Sequence, residues 1–256
     1  MKRLLHRAIA TLLTNTPLGL WPVRVQRGVA AGARWTLFPW TSYWRGTHEP
    51  AVQATLVGLG GGDIRGWNCW DLGAHFGLYS VGLARRVGLD GQVAAFEPNP
   101  ASYRRLQRHA RMNRFPWLRI YQAAVSDETG SAELFTYGDL GTTTTHLPYD
   151  GETRTANVGA IDVPILRLDS LVERGELRPP QFVKLDVEGH GHRALRGMGA
   201  TLRTSRPIIL AGLHSPAEVA GILDLLEPLG YRKQEVGSSL SADPMIGRDF
   251  LFSPQG

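Results

Sequence analysis

Three short stretches of the chain gather residues able to bind or transform a ligand: Asp71-x-Gly73-x-x-x-Gly77, then Glu97-Pro98-Asn99, and then Asp186 followed by Glu188, His190 and His192. Gly73 and Gly77 suit a turn whose backbone approaches a ligand, because a Cβ there would block the approach or demand a disfavoured dihedral. Asp71 beside that turn would repel a pyrophosphate, but it can hold a cationic or amino-bearing group. A carboxylate such as Glu97 can accept hydrogen bonds from both hydroxyls of a ribose, which marks a nucleoside site without choosing among nucleosides. The turn does choose, since a dinucleotide site reads G-x-G-x-x-G and this one lacks the third glycine. A nucleoside that also carries a sulfonium and an amino group satisfies all these features, so S-adenosylmethionine is the expected cofactor. Ala74, His75, Tyr79, Pro98, Asn99 and Asp127 complete the expected cofactor-binding set.

The polar group at Asp186–His192 is the expected place for a methyl acceptor, with His214 a further candidate at the same rim. A hydroxyl is a poor nucleophile near neutral pH, so transfer to oxygen gains from a base that takes its proton, and histidine is the natural one. The expected catalytic residues are Asp186, His190, His192 and His214. Simpler roles stay open, because isolated acids commonly cap helices and His190 and His192 can begin a helix facing solvent. Ligand types alone would allow a metal here, but no tight spacing supports one and none is expected. The aromatic run Phe38, Trp40, Tyr43, Trp44, with His48 and Glu49, reads equally as a lid over the site or as core.

The elements that must position these residues follow from apolar periodicity and turn residues. Residues 1–66 form a preface, with a helix near 2–14, strand-like stretches at Val23–Gln26 and Arg34–Phe38, and a helix from Pro50 to Leu59 stopped by three glycines. Strands at Asn68–Leu72, Val93–Phe96 and Leu118–Val125 then alternate with helices at Leu78–Val87 and Ala101–Asn113. Such alternation implies a parallel sheet covered on both faces, with ligands beyond the carboxyl ends of its strands. Ser131–Leu168 reads as an antiparallel hairpin insertion. The alternation resumes with a short helix at Ser170–Arg174, a strand at Phe182–Asp186, a helix at His190–Leu202, a strand at Pro207–Leu213, a helix at Pro216–Leu229 and a closing antiparallel pair. The expected fold class is α/β, a Rossmann-like seven-stranded and mainly parallel sheet with an antiparallel last strand. Residues 67–256 would be the cofactor-binding domain on which the preface packs.

Bulk properties bound the alternatives. The 256 residues, 43% of them hydrophobic and 20% charged, suit one ordinary globular domain. The formal charge of +5 comes from scattered basic residues, and the densest group (Arg104, Arg105, Arg108, Arg111, Arg114) has the spacing of a solvated helix face, so no nucleic-acid partner is expected. A single cysteine, Cys69, forbids an internal disulfide and is compatible with a reducing, cytoplasmic setting. His6, Arg7, Thr11, Thr14 and Asn15 interrupt the apolar residues near the N-terminus, leaving neither a membrane span nor a signal-peptide core. An amphipathic helix that packs on the domain or touches a membrane surface remains. The sequence does not set an oligomeric state.

Together, WDLGAHFGLYS, AFEPNPASYRRLQRHARMN, RLDSL and VKLDVEGHGHRALRGM, with THEP at 47–50, resemble the FkbM family of S-adenosylmethionine-dependent methyltransferases over about Gly46–His214. The resemblance implies methyl transfer, typically to a hydroxyl of a sugar or other small natural product, with cofactor and active-site roles for Asp71, Gly73, Gly77, Glu97 and Asp186. The family often reads G-A-N where this chain has His75. It commonly places a second glutamate where Gly191 stands, and one before the histidine where Ala211–Leu213 stand. Transfer to nitrogen, a binding module without turnover, and a nucleotide-dependent dehydrogenase are the alternatives.

Overall fold

The computed structural model describes residues 21–37, 41–137, 142–144, 159–237 and 244–255. The predicted helix near 2–14 and the aromatic residues Phe38 and Trp40 lie outside them. The chain opens with β1 (Pro22–Arg24) and β2 (Arg34–Thr36), an antiparallel pair, followed by α1 (Pro50–Gly58). Next come β3 (Asn68–Leu72), α2 (Leu78–Val87), β4 (Gln92–Phe96), α3 (Pro100–Asn113) and β5 (Leu118–Tyr121). A second group follows, with β6 (Ala124–Ser126), β7 (Gly130–Tyr137), β8 (Thr142–Thr144) and β9 (Gly159–Arg167). The chain closes through α4 (Leu168–Glu173), β10 (Phe182–Leu185), α5 (Gly191–Arg196), α6 (Gly199–Ser205), β11 (Ile208–Leu213), α7 (Pro216–Leu226), β12 (Tyr231–Val236) and β13 (Arg248–Pro254).

Seven strands form the main sheet in the order β5-β4-β3-β10-β11-β13-β12. All neighbouring pairs are parallel except those of β13, which runs antiparallel between β11 and β12. The central strands carry apolar residues at nearly every position because helices cover both faces. Alternation sorts their side chains: Cys69, Val93, Ala95, Phe182 and Leu210 face one core, while Trp70, Leu72, Ala94, Phe96, Val183 and Leu185 face the other. The preface joins the first core, through Val25, Val29, Trp35, Val52 and Leu56. His109 of α3 fastens it, stacking on Trp35 at 3.5 Å between ring centroids. Its Nδ1 bonds the Phe76 carbonyl at 2.8 Å and its Nε2 bonds Thr36 Oγ1 at 2.7 Å. Burial drives the pKa of this imidazole down to about 3, so it fastens the preface as a neutral ring.

Three details differ from the sequence-based expectations. The third strand stops at Tyr121, and Ala124–Ser126 leaves the main sheet to pair in parallel with β9. The insertion is therefore the antiparallel pair β7–β9 extended into a four-stranded sheet by β6 and β8. The helix predicted across 190–202 breaks in two at Gly197, where an added Cβ would stand 1.9 Å from the Ser126 carbonyl oxygen. That close approach brings α5 against β6 and turns His190 toward the mouth of the sheet.

Candidate active site

The carboxyl ends of β3, β4 and β10 open into a cavity of about 260 Å³, lined among others by Tyr43, Glu49, Asp71, Glu97, Lys184 and Asp186. Two halves meet in it.

The first half is the turn between β3 and α2. Gly73 and Gly77 both have φ of +85°, and His75 between them has φ of +49°. The glycines are required by the protein's own packing. A Cβ at Gly73 would lie 1.8 Å from the Asp186 carbonyl oxygen, and one at Gly77 would lie 2.2 Å from Leu106 Cδ1. The amides of the turn are also spent internally. Gly73 and Ala74 donate to the Phe96 carbonyl at 3.0 and 2.9 Å, and Gly77 donates to the Ala74 carbonyl at 2.8 Å. His75 donates its amide to Glu97 Oε2 at 2.7 Å. A phosphate cradle needs such N–H groups aimed outward, so this turn is not built for a pyrophosphate.

What it offers is negative charge. Asp71 is 1% exposed and accepts a hydrogen bond from Ser80 Oγ. Glu97 is 5% exposed, and its other oxygen accepts from the Asn99 amide at 2.8 Å. Burial lifts the Asp71 pKa to about 6 and that of Glu97 to about 7, against the hydrogen bonds each accepts. Two carboxylates held where ionisation is costly suit a ligand that brings positive charge and hydroxyl donors. Ala74, His75, Tyr79 and Pro98 line the cavity. Asn99 instead caps α3, its side chain accepting from the Ala101 and Ser102 amides at 2.8 and 3.2 Å. Asp127 lies outside the lining residues and pairs with Arg193 at 2.9 Å.

The second half is built around Lys184, which is fully buried beside Asp71 in the β10–β3 register. Its Nζ donates to Asp186 Oδ2 at 3.0 Å and sits 5.5 Å from the centre of the Tyr79 ring. Burial alone would lower the lysine's pKa, but Asp186, Asp249 and Glu49 outweigh it and hold the ammonium form. Conversely, Lys184 and His214 overcome burial at Asp186 and keep its carboxylate well below the usual range. His214 Nε2 bonds Asp186 Oδ1 at 2.9 Å, and its Nδ1 lies 3.7 Å from Glu188. Although burial opposes it, this acidic surround raises the imidazole to about 9. Gly212 makes the convergence possible: a Cβ there would stand 3.2 Å from Asp186 Oδ1, 3.3 Å from His214 Nε2 and 3.4 Å from Asp249 Oδ1.

The remaining candidates separate. His190 lines the cavity and bonds Ser126 Oγ at 3.1 Å. His192 lies outside the lining residues and packs on Gly221 of α7, where an added Cβ would meet its own Cβ at 2.7 Å. Tyr43, His48 and Glu49 of the aromatic preface all line the cavity. Tyr43 Oη is 3.1 Å from His75 Nδ1, and Tyr79 Oη donates to Glu49. Sequence reasoning missed Lys184, Asp249 and Glu218. Lys184 carried a signal, as the one charge inside the otherwise apolar run Phe182–Leu185. Glu218 had none: its oxygens accept the amides of Gly191 and His214, both at 2.8 Å, and so join the two loops that bear His190 and His214.

Residues 71–233 match the family model described as the methyltransferase FkbM domain. The chain belongs to the FkbM methyltransferase family. It is 26% identical over 180 residues to the hexuronic acid methyltransferase AglP of Haloferax volcanii, covering 70% of this chain and 69% of that protein. It is 25% identical over 142 residues to Methyltransferase 1 of Beauveria bassiana, covering 50% of this chain and 57% of that one. The crystal structure of an FkbM methyltransferase from Methylobacillus flagellatus shares the fold with a TM-score of 0.50 at 16% identity, over 73% of this chain and 43% of that one.

Removing the buried cation tests how the site is held. Lys184→Met takes from Asp186, Glu49 and Asp249 the cation they share, so we predict a loss of about 3–5 kcal/mol in urea unfolding. Arg232→Met, on an exposed position of β12, should cost less than about 0.5 kcal/mol.

Proposed function

We propose that this chain transfers the methyl group of S-adenosylmethionine to an oxygen of a small polyhydroxylated acceptor of the sugar class. The observation that carries the proposal is the pairing of a turn whose amides are internally spent with two buried carboxylates, Asp71 and Glu97, at successive strand ends. Glu97 keeps free lone pairs for ribose hydroxyls, and Asp71 faces the cavity where an amino group or sulfonium can lie. The bound cofactor would supply an electrophilic methyl carbon. The chain's own residues then need only hold the acceptor oxygen in line with it and manage a proton.

On the acceptor side, Tyr43, His48 and His75 offer ring faces, while Glu49, Asp186 and Glu188 offer hydrogen-bond acceptors. Rings beside carboxylates match the alternating apolar and hydroxyl faces of a sugar. Kinship with a protein named for hexuronic acid supports the same class. For a hydroxyl acceptor, His214 is the group that would receive the proton: it stands outside the lining residues but is bonded to Asp186, which lines the cavity.

A second reading rests on one observation, the raised pKa of His214. With that value near 9 the ring is an imidazolium at neutral pH, suited to hold a carboxylate acceptor that needs no base. The pH dependence of single-turnover methyl transfer separates the two. A hydroxyl acceptor predicts a rate that rises about tenfold per pH unit toward pH 9, as neutral imidazole accumulates, and that is lost in His214→Asn. A carboxylate acceptor predicts a rate that is flat at neutral pH and falls above pH 9.

Cofactor affinity has its own pH signature. Asp71 and Glu97 ionise near 6 and 7, so both accept hydrogen bonds at pH 8 and both are largely protonated at pH 5.5. Titration calorimetry with S-adenosylhomocysteine should therefore show at least a tenfold weaker Kd at pH 5.5 than at pH 8. Glu97→Gln should flatten the upper part of that dependence, and unchanged affinity across the range would count against both assignments.

A further inference from the structure

The strongest feature that the cleft does not use is a basic face at the far end of the molecule. Arg24 and Arg34 of the β1–β2 pair, Arg85 at the end of α2, and Arg108 and Arg114 of the α3 end line two adjoining grooves that contain no carboxylate. The two grooves share Arg24, Arg34 and Met112. Backbone bonds fix the arrangement, since Arg34 donates its amide to Asn113 Oδ1 at 2.8 Å and its carbonyl accepts from Asn113 Nδ2 at 2.8 Å. Among the described residues, no acid pairs with Arg24, Arg34, Arg85 or Arg114. These four like-charged side chains are thus held together without an acidic partner, an arrangement that favours an anionic ligand.

Apolar groups are interleaved with these charges. Val23, Met112 and Phe115 lie half-buried in the grooves, and Trp21, directly ahead of β1, is 63% exposed. The twenty residues that precede Trp21 have the same mixture in sequence, with Lys2, Arg3 and Arg7 among Leu4, Leu5, Ile9, Leu12 and Leu13. A polyanion such as RNA would use the arginines but leave the aliphatic residues without a partner. An anionic bilayer uses both, because basic residues meet the headgroups while tryptophan and aliphatic side chains enter the interface.

We propose that this face docks the enzyme on an anionic phospholipid surface. The C-terminal ends of α2 and α3 lead into the amino ends of β4 and β5, the end of the sheet opposite the strand ends that carry Asp71, Glu97 and Asp186. A bilayer bound there leaves the cleft open to solution, so the surface tethers the enzyme without taking part in methyl transfer.

Co-sedimentation of the full chain with vesicles tests this, comparing phosphatidylcholine alone with phosphatidylcholine containing phosphatidylglycerol. The wild type should partition onto the anionic vesicles, release on raising salt, and ignore the neutral ones. Arg34→Glu, Arg85→Gln and Arg114→Glu together should weaken partitioning at least tenfold, while S-adenosylhomocysteine affinity and Tm stay near wild type. A control in which Arg203→Glu and Arg232→Glu change the net charge on other elements should bind like wild type. Equal partitioning of the arginine variant and the wild type would overturn the proposal, as would binding to neutral vesicles or a tenfold preference for RNA over the anionic vesicles. Because the variant keeps its cofactor site, failure here is distinguishable from failure of the methyltransferase reading.

Discussion

The site depends on one buried ammonium group. Lys184 has no exposed surface, yet it stays charged because Asp186, Asp249 and Glu49 converge on it from β10, β13 and the preface. Each of those carboxylates would be costly to bury alone, and each is tolerable because the others share the same cation. Asp186 gains most and remains ionised, so it can in turn hold the His214 ring as an imidazolium. The protonation state of His214 is therefore set two hydrogen bonds away, by Lys184. The same pull reaches the preface, since Glu49 is bonded by Tyr79 and brings the 41–49 segment to the rim of the cavity.

The half built on the β3–α2 turn obeys a different constraint, that of close packing. The turn at Gly73–Gly77 is pressed between the end of β10 and Leu106 of α3, and it closes its hydrogen bonds on Phe96, Glu97 and Ala74. Once its amides are satisfied in this way, the turn cannot compete for phosphate, and its character comes from the acids beside it. One segment thus couples the two halves physically, because the glycine that shapes the turn is the one that touches the backbone of Asp186.

Much of this was legible in the sequence, and the parts that were not share a cause. Strand β3, the glycine turn, α2, β4 and the Asn99–Pro100 start of α3 could be read because each depends on local periodicity or capping. Asp71, Glu97 and Asp186 could be located because strand ends are where a parallel sheet presents ligands. Asp249 and Glu218 could not, since they reach the site only through the antiparallel insertion of β13 and the packing of α7 on α5. His192 misled for the opposite reason. Two residues after His190, it looked equivalent, but the start of α5 turns it onto Gly221. The purpose first read into Gly73 and Gly77 changed as well, for the space they keep clear is occupied by protein.

The most direct test of this arrangement is a crystal structure with S-adenosylhomocysteine bound. We predict the ribose hydroxyls on Glu97, the amino group on the Asp71 side, and the sulfur turned so that the missing methyl would point toward Asp186 and His214. A ribose bound away from Glu97, or a sulfur facing away from the Asp186–His214 pair, would contradict it.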